Sequence, residues 1–168
     1  ASTNDNTVSI LTNNGETFST QTMNVVSNPV DIAVGDFVSA DPLPDLAVAS
    51  TSANLIEVYE NTFAFRGSGF QFKGATFAGS PDKVNPGDVV NDKDFDIVVI
   101  SSGDDTTYTV PGSGEDPSPL NALGDVVSLR IPVGIDPVEL AVADLNSDGI
   151  DDTITINSDG SLSVRLGT

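Results

Sequence analysis

The stretch that decides the fold runs from Pro137 to Ile156 and reads PVELAVADLNSDGIDDTITI. It begins and ends with short runs rich in Val, Ile, Leu and Thr, and most of these residue types favour β-strands. Between the runs lies an acidic loop, Asp144 to Asp152, whose sixth residue is Gly149. Asp and Gly favour turns over regular structure. The stretch therefore predicts two strands joined by an acidic loop.

The same unit recurs along the chain. Residues 29–36 read PVDIAVGD, residues 137–144 read PVELAVAD, and a weaker copy, PDKVNPGD, occupies residues 81–88. The Asp residues that close the three copies are 52 and 56 residues apart, and each is followed eight or nine residues later by another Asp and an apolar run. A repeat of this length indicates a protein built from similar structural units. The closing residues are Asp36, Asp88 and Asp144, and the runs begin at Asp45, Asp96 and Asp152.

The remainder of each unit also has β character. Runs with alternating apolar residues follow at 55–59 and 162–166, and outer segments follow at 70–77 and 126–131. Four strands in about 54 residues is the size of one β-propeller blade. We therefore predict an all-β protein of about three propeller-type blades, each with four antiparallel strands. The predicted divisions are a partial blade at 1–27, blades at 28–80 and 81–135, and a partial blade at 136–168.

The first and last units hold fewer strands than the middle two. Closed propellers have roughly four to eight blades, so we expect an open stack, a piece of a larger propeller, or a protomer that completes its sheets with a neighbour. Unpaired sheet edges favour pairing with another chain. The pattern therefore predicts a homo-oligomer or filament formed through the unpaired blade edges.

The composition narrows the possible functions. The 168 residues carry 25 acidic and 6 basic side chains, for a net charge of -19. Nucleic acids bind basic surfaces, so a nucleic-acid partner is not expected, and no apolar run is long enough for membrane insertion. The chain has no Cys and no His, which removes disulfides, thiolate metal sites and the commonest general base. We therefore expect a protein that is not an enzyme.

The loop that ends the third copy has the spacing of a cation site. Oxygen-bearing side chains occupy its positions 1, 3, 5 and 9, Gly occupies position 6, and the carbonyl at position 7 offers a further ligand. Crowded carboxylates repel one another unless a cation lies among them, and Ca²⁺ takes six to eight oxygen ligands. Thr155 stands where an EF-hand would have its bidentate Glu. The candidate ligands are Asp144, Asn146, Asp148, the Ile150 carbonyl and Asp152.

The other two loops keep part of this pattern. The second loop has carboxylates at Asp88, Asp92, Asp94 and Asp96, but Val90 and Lys93 replace the oxygen at position 3 and the Gly at position 6. The first loop runs from Asp36 to Asp45 through Ser39 and Asp41, and is one residue longer. A solvated turn without metal is the alternative for each loop. The sequence supports this alternative least for the third loop and most for the first.

The third copy consists of an apolar run, the loop Asp-Leu-Asn-x-Asp-Gly-x-x-Asp and a second apolar run. This pattern resembles the FG-GAP/VCBS repeat family. Members of that family form the calcium-loop β-propellers of integrin α-subunit heads and of many secreted microbial proteins. The resemblance implies Ca²⁺ between the first and second strands of each blade, and an extracellular location, secreted or at the cell surface. The ligands it implies are Asp144, Asn146, Asp148, the Ile150 carbonyl and Asp152; Asp88, Asp92, the Asp94 carbonyl and Asp96; and Asp36, Ser39, Asp41 and Asp45.

Three functions are consistent with these features. The first is an extracellular calcium-binding structural or adhesion module that self-assembles and binds a glycan or protein ligand. The second is a carbohydrate-binding, lectin-like propeller or a fragment of a polysaccharide lyase, for which the aromatic cluster Phe63, Phe65, Phe70, Phe72 and Phe77 could form a sugar-stacking face. The same cluster could instead be a hairpin core. The third is a part of an integrin-like ligand-binding head.

Overall fold

A computed structural model describes residues 1–38, 41, 43–62, 69–77, 79–112 and 129–168. These residues form thirteen β-strands and one short 3-10 turn at Thr51–Ala53. The described residues contain no helix that is both long and apolar enough to cross a membrane. The strands are β1 (Thr7–Asn13), β2 (Phe18–Asn24), β3 (Pro29–Gly35), β4 (Asp45–Ser50), β5 (Leu55–Asn61), β6 (Phe70–Phe77), β7 (Pro81–Gly87), β8 (Asp96–Ser101), β9 (Thr106–Val110), β10 (Leu129–Pro132), β11 (Pro137–Ala143), β12 (Asp152–Asn157) and β13 (Leu162–Arg165).

The strands form four antiparallel sheets in chain order. Strands β1 and β2 make a hairpin, β3 to β6 make blade A, β7 to β10 make blade B, and β11 to β13 make blade C. Each strand pairs with its neighbour in the chain, which gives the meander of a propeller blade. The prediction of an all-β protein with four-stranded antiparallel blades is confirmed. The outer strand predicted at 126–131 is seen as β10, and residues 126–128 lie outside the described part of the chain.

Alternation of side chains along the second strand of each blade creates two packing faces. In blade A, Leu46 and Val48 pack against the hairpin, where Val8 contributes to the same buried cluster. The intervening Ala47 and Ala49 are fully buried in a cluster shared with blade B. The core of the molecule is therefore a series of apolar layers between consecutive sheets.

Each acidic loop joins the first strand of its blade to the second. The three loops therefore lie on the same side of the molecule, at corresponding edges of consecutive sheets. The second and third loops are in direct contact. The backbone N–H of Asp151 donates to the carbonyl of Asp88 at 2.8 Å, and the N–H of Asp88 donates to a carboxylate oxygen of Asp151 at 3.1 Å. The side chains of Asp36 and Asp94 are close enough to interact electrostatically, which brings the first loop near the second.

Candidate metal centre

The third loop is held by its own backbone amides. The carboxylate of Asp144 accepts hydrogen bonds from the N–H groups of Ser147 at 2.6 Å, Asp148 at 3.2 Å and Gly149 at 2.9 Å. The Gly149 amide is the main reason that the pKa of Asp144 is below its ordinary value. Asp148 in turn accepts a hydrogen bond from the N–H of Ile150 at 2.9 Å. These bonds fix the turn before any cation is considered.

The second loop adopts the same turn with a different sequence. Asp88 accepts hydrogen bonds from the N–H groups of Asp92 at 3.3 Å and Lys93 at 3.1 Å, and Asp92 accepts one from the N–H of Asp94 at 3.1 Å. Lys93 has a φ of 73°, a left-handed conformation that the equivalent Gly149 adopts with a φ of 89°. The turn geometry is therefore kept although Lys93 bears a steric cost that glycine does not.

The last Asp of each loop is buried and binds backbone amides on two sides. Asp45 is 0% exposed. One of its carboxylate oxygens accepts hydrogen bonds from the N–H groups of Phe37 at 3.0 Å and Val38 at 3.1 Å, at the start of the loop. The other oxygen accepts one from the N–H of Asn61 at 2.9 Å, at the end of the third strand. The carboxylate thus ties the loop to the end of β5.

Asp96 and Asp152 are also 0% exposed and make the same connection in blades B and C. We call Asp45, Asp96 and Asp152 the bracing aspartates. Their burial is electrostatically tolerable because amide hydrogen bonds compensate for lost hydration. The donors are the N–H groups of Val89, Val90 and Gly112 to Asp96, and of Leu145 and Gly167 to Asp152.

The carboxylates of the second loop converge. Asp88, Asp92 and Asp96 each present one oxygen, and these oxygens lie within 4.8 Å of one another. Burial raises the pKa of Asp96 to about 6 and the negative charge of Asp92 adds to that effect, while the N–H groups of Gly112 and Val89 oppose it. The set combines an exposed, a half-buried and a buried carboxylate, which is a hard-oxygen arrangement suited to a divalent cation.

The third loop places its acidic groups differently. Across the described parts of the chain, the second loop holds the one set of three carboxylates that converges in this way, so Asp144, Asp148 and Asp152 do not. The side-chain amide of Asn146 donates to Asp148 at 2.8 Å. The side chains of both loops accept backbone hydrogen bonds, and Asp152 is a brace as Asp96 is, so the two loops differ in the convergence of their carboxylates and not in these bonds.

The first loop brings Asp36, Asp41 and Asp45 into electrostatic contact. Burial raises the pKa of Asp36 to about 6, and the charges of Asp45, Asp41 and Asp94 add to the effect. One carboxylate oxygen of Asp36 is buried without a hydrogen-bond partner. Ser39, the fourth predicted ligand, lies outside the described residues. The loop therefore concentrates negative charge that has little compensation from hydrogen bonds at Asp36.

Sequence reasoning missed the bracing role. The donors that follow each bracing aspartate are the backbone N–H groups of Asn61, Gly112 and Gly167, 16, 16 and 15 residues later. Because every residue except proline has such a group, only the spacing repeats in the sequence. Glycine is required at Gly112 because a Cβ there would lie 2.5 Å from the carbonyl oxygen of Phe95. A Cβ at Gly167 would lie 2.4 Å from the carbonyl oxygen of Asp151.

The aromatic cluster is only partly described. Phe63 and Phe65 lie outside the described residues. Phe70 packs against the cluster of buried residues between the hairpin and blade A. Phe72 is exposed, and its ring meets that of Tyr59 edge-on with centroids 5.5 Å apart. The described part of the cluster thus includes a partly buried ring that packs against the core and an exposed aromatic ring.

Comparison with known proteins defines the fold class. No family model matches the chain, and a search of curated proteins finds no match. Solved structures do match: a structure of BBS1N in complex with ARL6DN, soaked with mercury, has a TM-score of 0.65 at 12% identity and is matched over 98% of this chain and 44% of that one. A second, soaked with lead, has a TM-score of 0.60 at 9% identity, with 90% and 38% covered. The chain spans less than half the length of these structures, and it is an all-β protein of propeller type.

This comparison corrects one prediction. The family resemblance implied an extracellular location, but the matched domain belongs to BBS1, an intracellular ciliary protein. The prediction of an extracellular location is wrong on this finding. The error arose because the location was inferred from what members of a repeat family do, whereas a propeller blade is a scaffold that occurs in many settings.

Proposed function

We propose that this chain is a non-catalytic, calcium-binding module with propeller-type repeats of the FG-GAP/VCBS kind, which serves as a scaffold for binding a protein partner. The observation that carries the calcium assignment is the convergence of Asp88, Asp92 and Asp96 within 4.8 Å. Like charges at such distances repel strongly in a partly buried setting, and a divalent cation converts that repulsion into attraction.

The donor set favours Ca²⁺ over other common ions. The chain has no Cys or His, so the soft and nitrogen ligands preferred by zinc and copper are absent from the sequence. Carboxylate oxygens on a loop suit Ca²⁺, which accepts irregular coordination by many oxygens, better than Mg²⁺, which demands near-octahedral geometry and retains water. The second loop is the first place to look for the ion, and the first and third loops are further candidates.

The protein-binding part of the proposal has separate support. BBS1N is seen in complex with ARL6DN, and propeller domains share a scaffold whose loops and faces bind diverse partners. The absence of His and Cys from the sequence also removes the commonest catalytic bases and nucleophiles. A binding role therefore fits the residues of this chain better than catalysis.

The calcium assignment is tested by calorimetric titration and thermal melting of the chelator-treated protein. We expect Ca²⁺ to bind and to stabilise the fold by about 2.7 kcal/mol when free Ca²⁺ is a hundredfold above its Kd, with a weaker response to Mg²⁺. Asp92→Asn should weaken Ca²⁺ binding at least tenfold. Asp92 is the substitution of choice because it is exposed and is not a bracing aspartate.

The matched control is Glu16→Gln, which removes one exposed negative charge in the hairpin turn, away from the three loops. It should bind Ca²⁺ as the unmodified chain does. If the unmodified chain shows no binding heat and the same melting temperature in Ca²⁺ and in EDTA, the calcium assignment is wrong.

A further inference from the structure

The second acidic loop is held from outside by one residue of the third. The backbone N–H of Asp151 donates to the carbonyl of Asp88 at 2.8 Å. In return, a carboxylate oxygen of Asp151 accepts a hydrogen bond from the N–H of Asp88 at 3.1 Å. The two residues are 63 positions apart and lie in loops of different blades. We call this pair of bonds the Asp88–Asp151 tie, and it restrains the backbone on both sides of the Cα of Asp88.

The backbone before the second loop leaves room for this tie. Gly87 ends β7, and a Cβ on it would lie 3.0 Å from Oδ2 of Asp151 and 3.4 Å from its Cβ. Asp151 is itself half-buried. Its carboxylate is therefore packed against the start of the second loop, so the tie is part of the packing between blades B and C.

Only the third loop has a residue that can make this tie through its side chain. The residue lies directly before the bracing aspartate, and its counterparts are Pro44 in the first loop and Phe95 in the second. Neither of these side chains can accept a hydrogen bond, and Pro44 also lacks a backbone N–H. The side-chain half of the tie is therefore specific to the boundary between blades B and C.

This boundary is also more polar than the one between blades A and B. Ile97 and Val99, the first and third residues after a bracing aspartate, belong to the buried cluster shared with blade A. Their counterparts in blade C are Thr153 and Thr155, which are buried as well. Burial of threonine stabilises less than burial of isoleucine or valine, because the hydroxyl loses its water. A polar tie at the loops therefore matters more at this boundary than at the other.

The tie acts on a residue of the candidate metal site. The carboxylate of Asp88 accepts hydrogen bonds from the N–H groups of Asp92 and Lys93. One of its oxygens converges with oxygens of Asp92 and Asp96. Groups outside the ligand set orient metal ligands, and their loss commonly lowers metal affinity by about 10–100-fold. Asp151 has the position of such a group, because it holds the backbone from which the Asp88 side chain projects.

We propose that Asp151 is a positioning residue for the second loop, and that Ca²⁺ bound at this loop and the docking of blade C on blade B stabilise each other. The inference rests on the proposed calcium-binding function. The tie orders Asp88 and so favours binding of the ion, and by linkage the bound ion favours the tie to the same extent. Asp151 acts through the backbone of Asp88 and does not contact the ion. Calcium at one loop thus reinforces the boundary between two blades.

The test follows individual amides of the isotope-labelled, chelator-treated chain by NMR during titration with CaCl₂. The N–H of Lys93, which donates to Asp88, reports the Kd of the second loop. The N–H of residue 151, which donates across the boundary, reports the tie through its rate of hydrogen exchange. We expect saturating Ca²⁺ to slow exchange at residue 151, because a closed tie protects this amide.

Three variants separate position from charge. Asp151→Ala removes the side-chain acceptor and should raise the Kd reported by Lys93 by about tenfold or more. Asp151→Asn keeps an acceptor oxygen and loses only the charge, so its Kd should stay within about threefold of that of the unmodified chain. Asp159→Ala is the matched control, because Asp159 lies in the turn at the other end of β12 and bonds to Ser161 within that turn. Its Kd should be unchanged.

An Asp151→Ala chain that binds Ca²⁺ at the second loop as tightly as the unmodified chain overturns the inference, as does an exchange rate at residue 151 that Ca²⁺ leaves unchanged. An equal loss of affinity in Asp151→Asn and Asp151→Ala also overturns it, since charge and not position would then set the affinity. If Asp151→Ala does not fold, the Asp151→Asn titration and the exchange rate in the unmodified chain still decide. A chain in which no amide responds to Ca²⁺ refutes the proposed function and this inference together, whereas Ca²⁺ binding that is independent of Asp151 refutes the inference alone.

Discussion

The bracing aspartates show how one carboxylate supports both the fold and a candidate site. Each is fully buried, yet each bonds to backbone amides from two separate segments. Asp96 is also part of the converging carboxylates of the second loop. Hydrogen bonds to ionised groups are stronger than neutral ones, so the buried carboxylate contributes to holding the loop entrance and the end of the third strand together. A residue with the spacing of a metal ligand thus also holds two segments of the fold together.

The structural role of the brace predicts a loss of stability in Asp45→Asn. The amide NH₂ of Asn would face one of the N–H donors that the carboxylate now accepts, and a buried unsatisfied donor costs about 1–3 kcal/mol. We expect the free energy of unfolding in EDTA to fall by about that amount in chemical denaturation. Glu16→Gln, an exposed change of equal charge, should leave it within about 0.5 kcal/mol. A stability of Asp45→Asn equal to that of the unmodified chain would contradict the brace.

At the scale of the strands, the inner strands of consecutive blades approach each other closely at glycine positions. Gly87 at the end of β7 leaves room for Val142 of β11, and Gly35 at the end of β3 leaves room for Pro86 of β7. Close approach of this kind buries the small faces of the strands and excludes larger side chains. The spacing between blades is therefore set by the residue before each acidic loop.

This spacing predicts that Gly87→Ala destabilises the contact between blades B and C. The added Cβ would lie 2.2 Å from Cγ1 of Val142, so that side chain or the strand must move. Overpacking of a core costs about 1–3 kcal/mol, and the melting temperature should fall accordingly. Gly103→Ala is the control, because its Cβ would meet Ser80 at 3.4 Å, an ordinary contact. Equal melting temperatures for the two variants would show that the blades are not packed this tightly.

For the whole molecule, the excess of negative charge makes stability depend on pH and on cations. The pKa values of Asp36 and Asp96 are raised to about 6 from an ordinary value of 3.8. At pH values between 3.8 and about 6 the folded chain binds more protons than the unfolded chain. The free energy of unfolding therefore falls as the pH rises through this range. The net charge of -19 acts in the same direction, since acidification reduces repulsion within the fold.

We therefore expect the melting temperature in EDTA to be higher at about pH 5 than at about pH 7.5. Excess Ca²⁺ should flatten this slope, because a bound cation favours the ionised carboxylates. Asp36→Asn should reduce the slope in EDTA. Asp159→Asn should not, because the pKa of Asp159 is already below its ordinary value and its proton is lost outside this window. A melting temperature that falls on acidification in EDTA would contradict the assignment of these raised pKa values.

Much of the fold was predictable because it depends on periodicity. Alternation of apolar residues after Asp45 and Asp96 identifies two-faced strands, and the recurrence of the acidic loop gives the blade repeat. The metal ligands remain a prediction for all three loops. The sequence ranked the third loop above the second for metal binding, since it has Gly149 and Asn146 where the second has Lys93 and Val90, whereas the converging carboxylates lie in the second loop.

The sequence by itself determined the order of strands, the acidic loops and the alternating faces, because these follow from local propensity and from side-chain direction along a strand. Only the tertiary structure decided that the last Asp of each loop is buried against the end of the third strand, and that Ile156 of blade C is exposed while its counterparts Ala49 and Ile100 in blades A and B are covered. Those features depend on contacts between segments far apart in the chain. Carboxylate orientation and burial are set by those contacts and not by residue spacing alone.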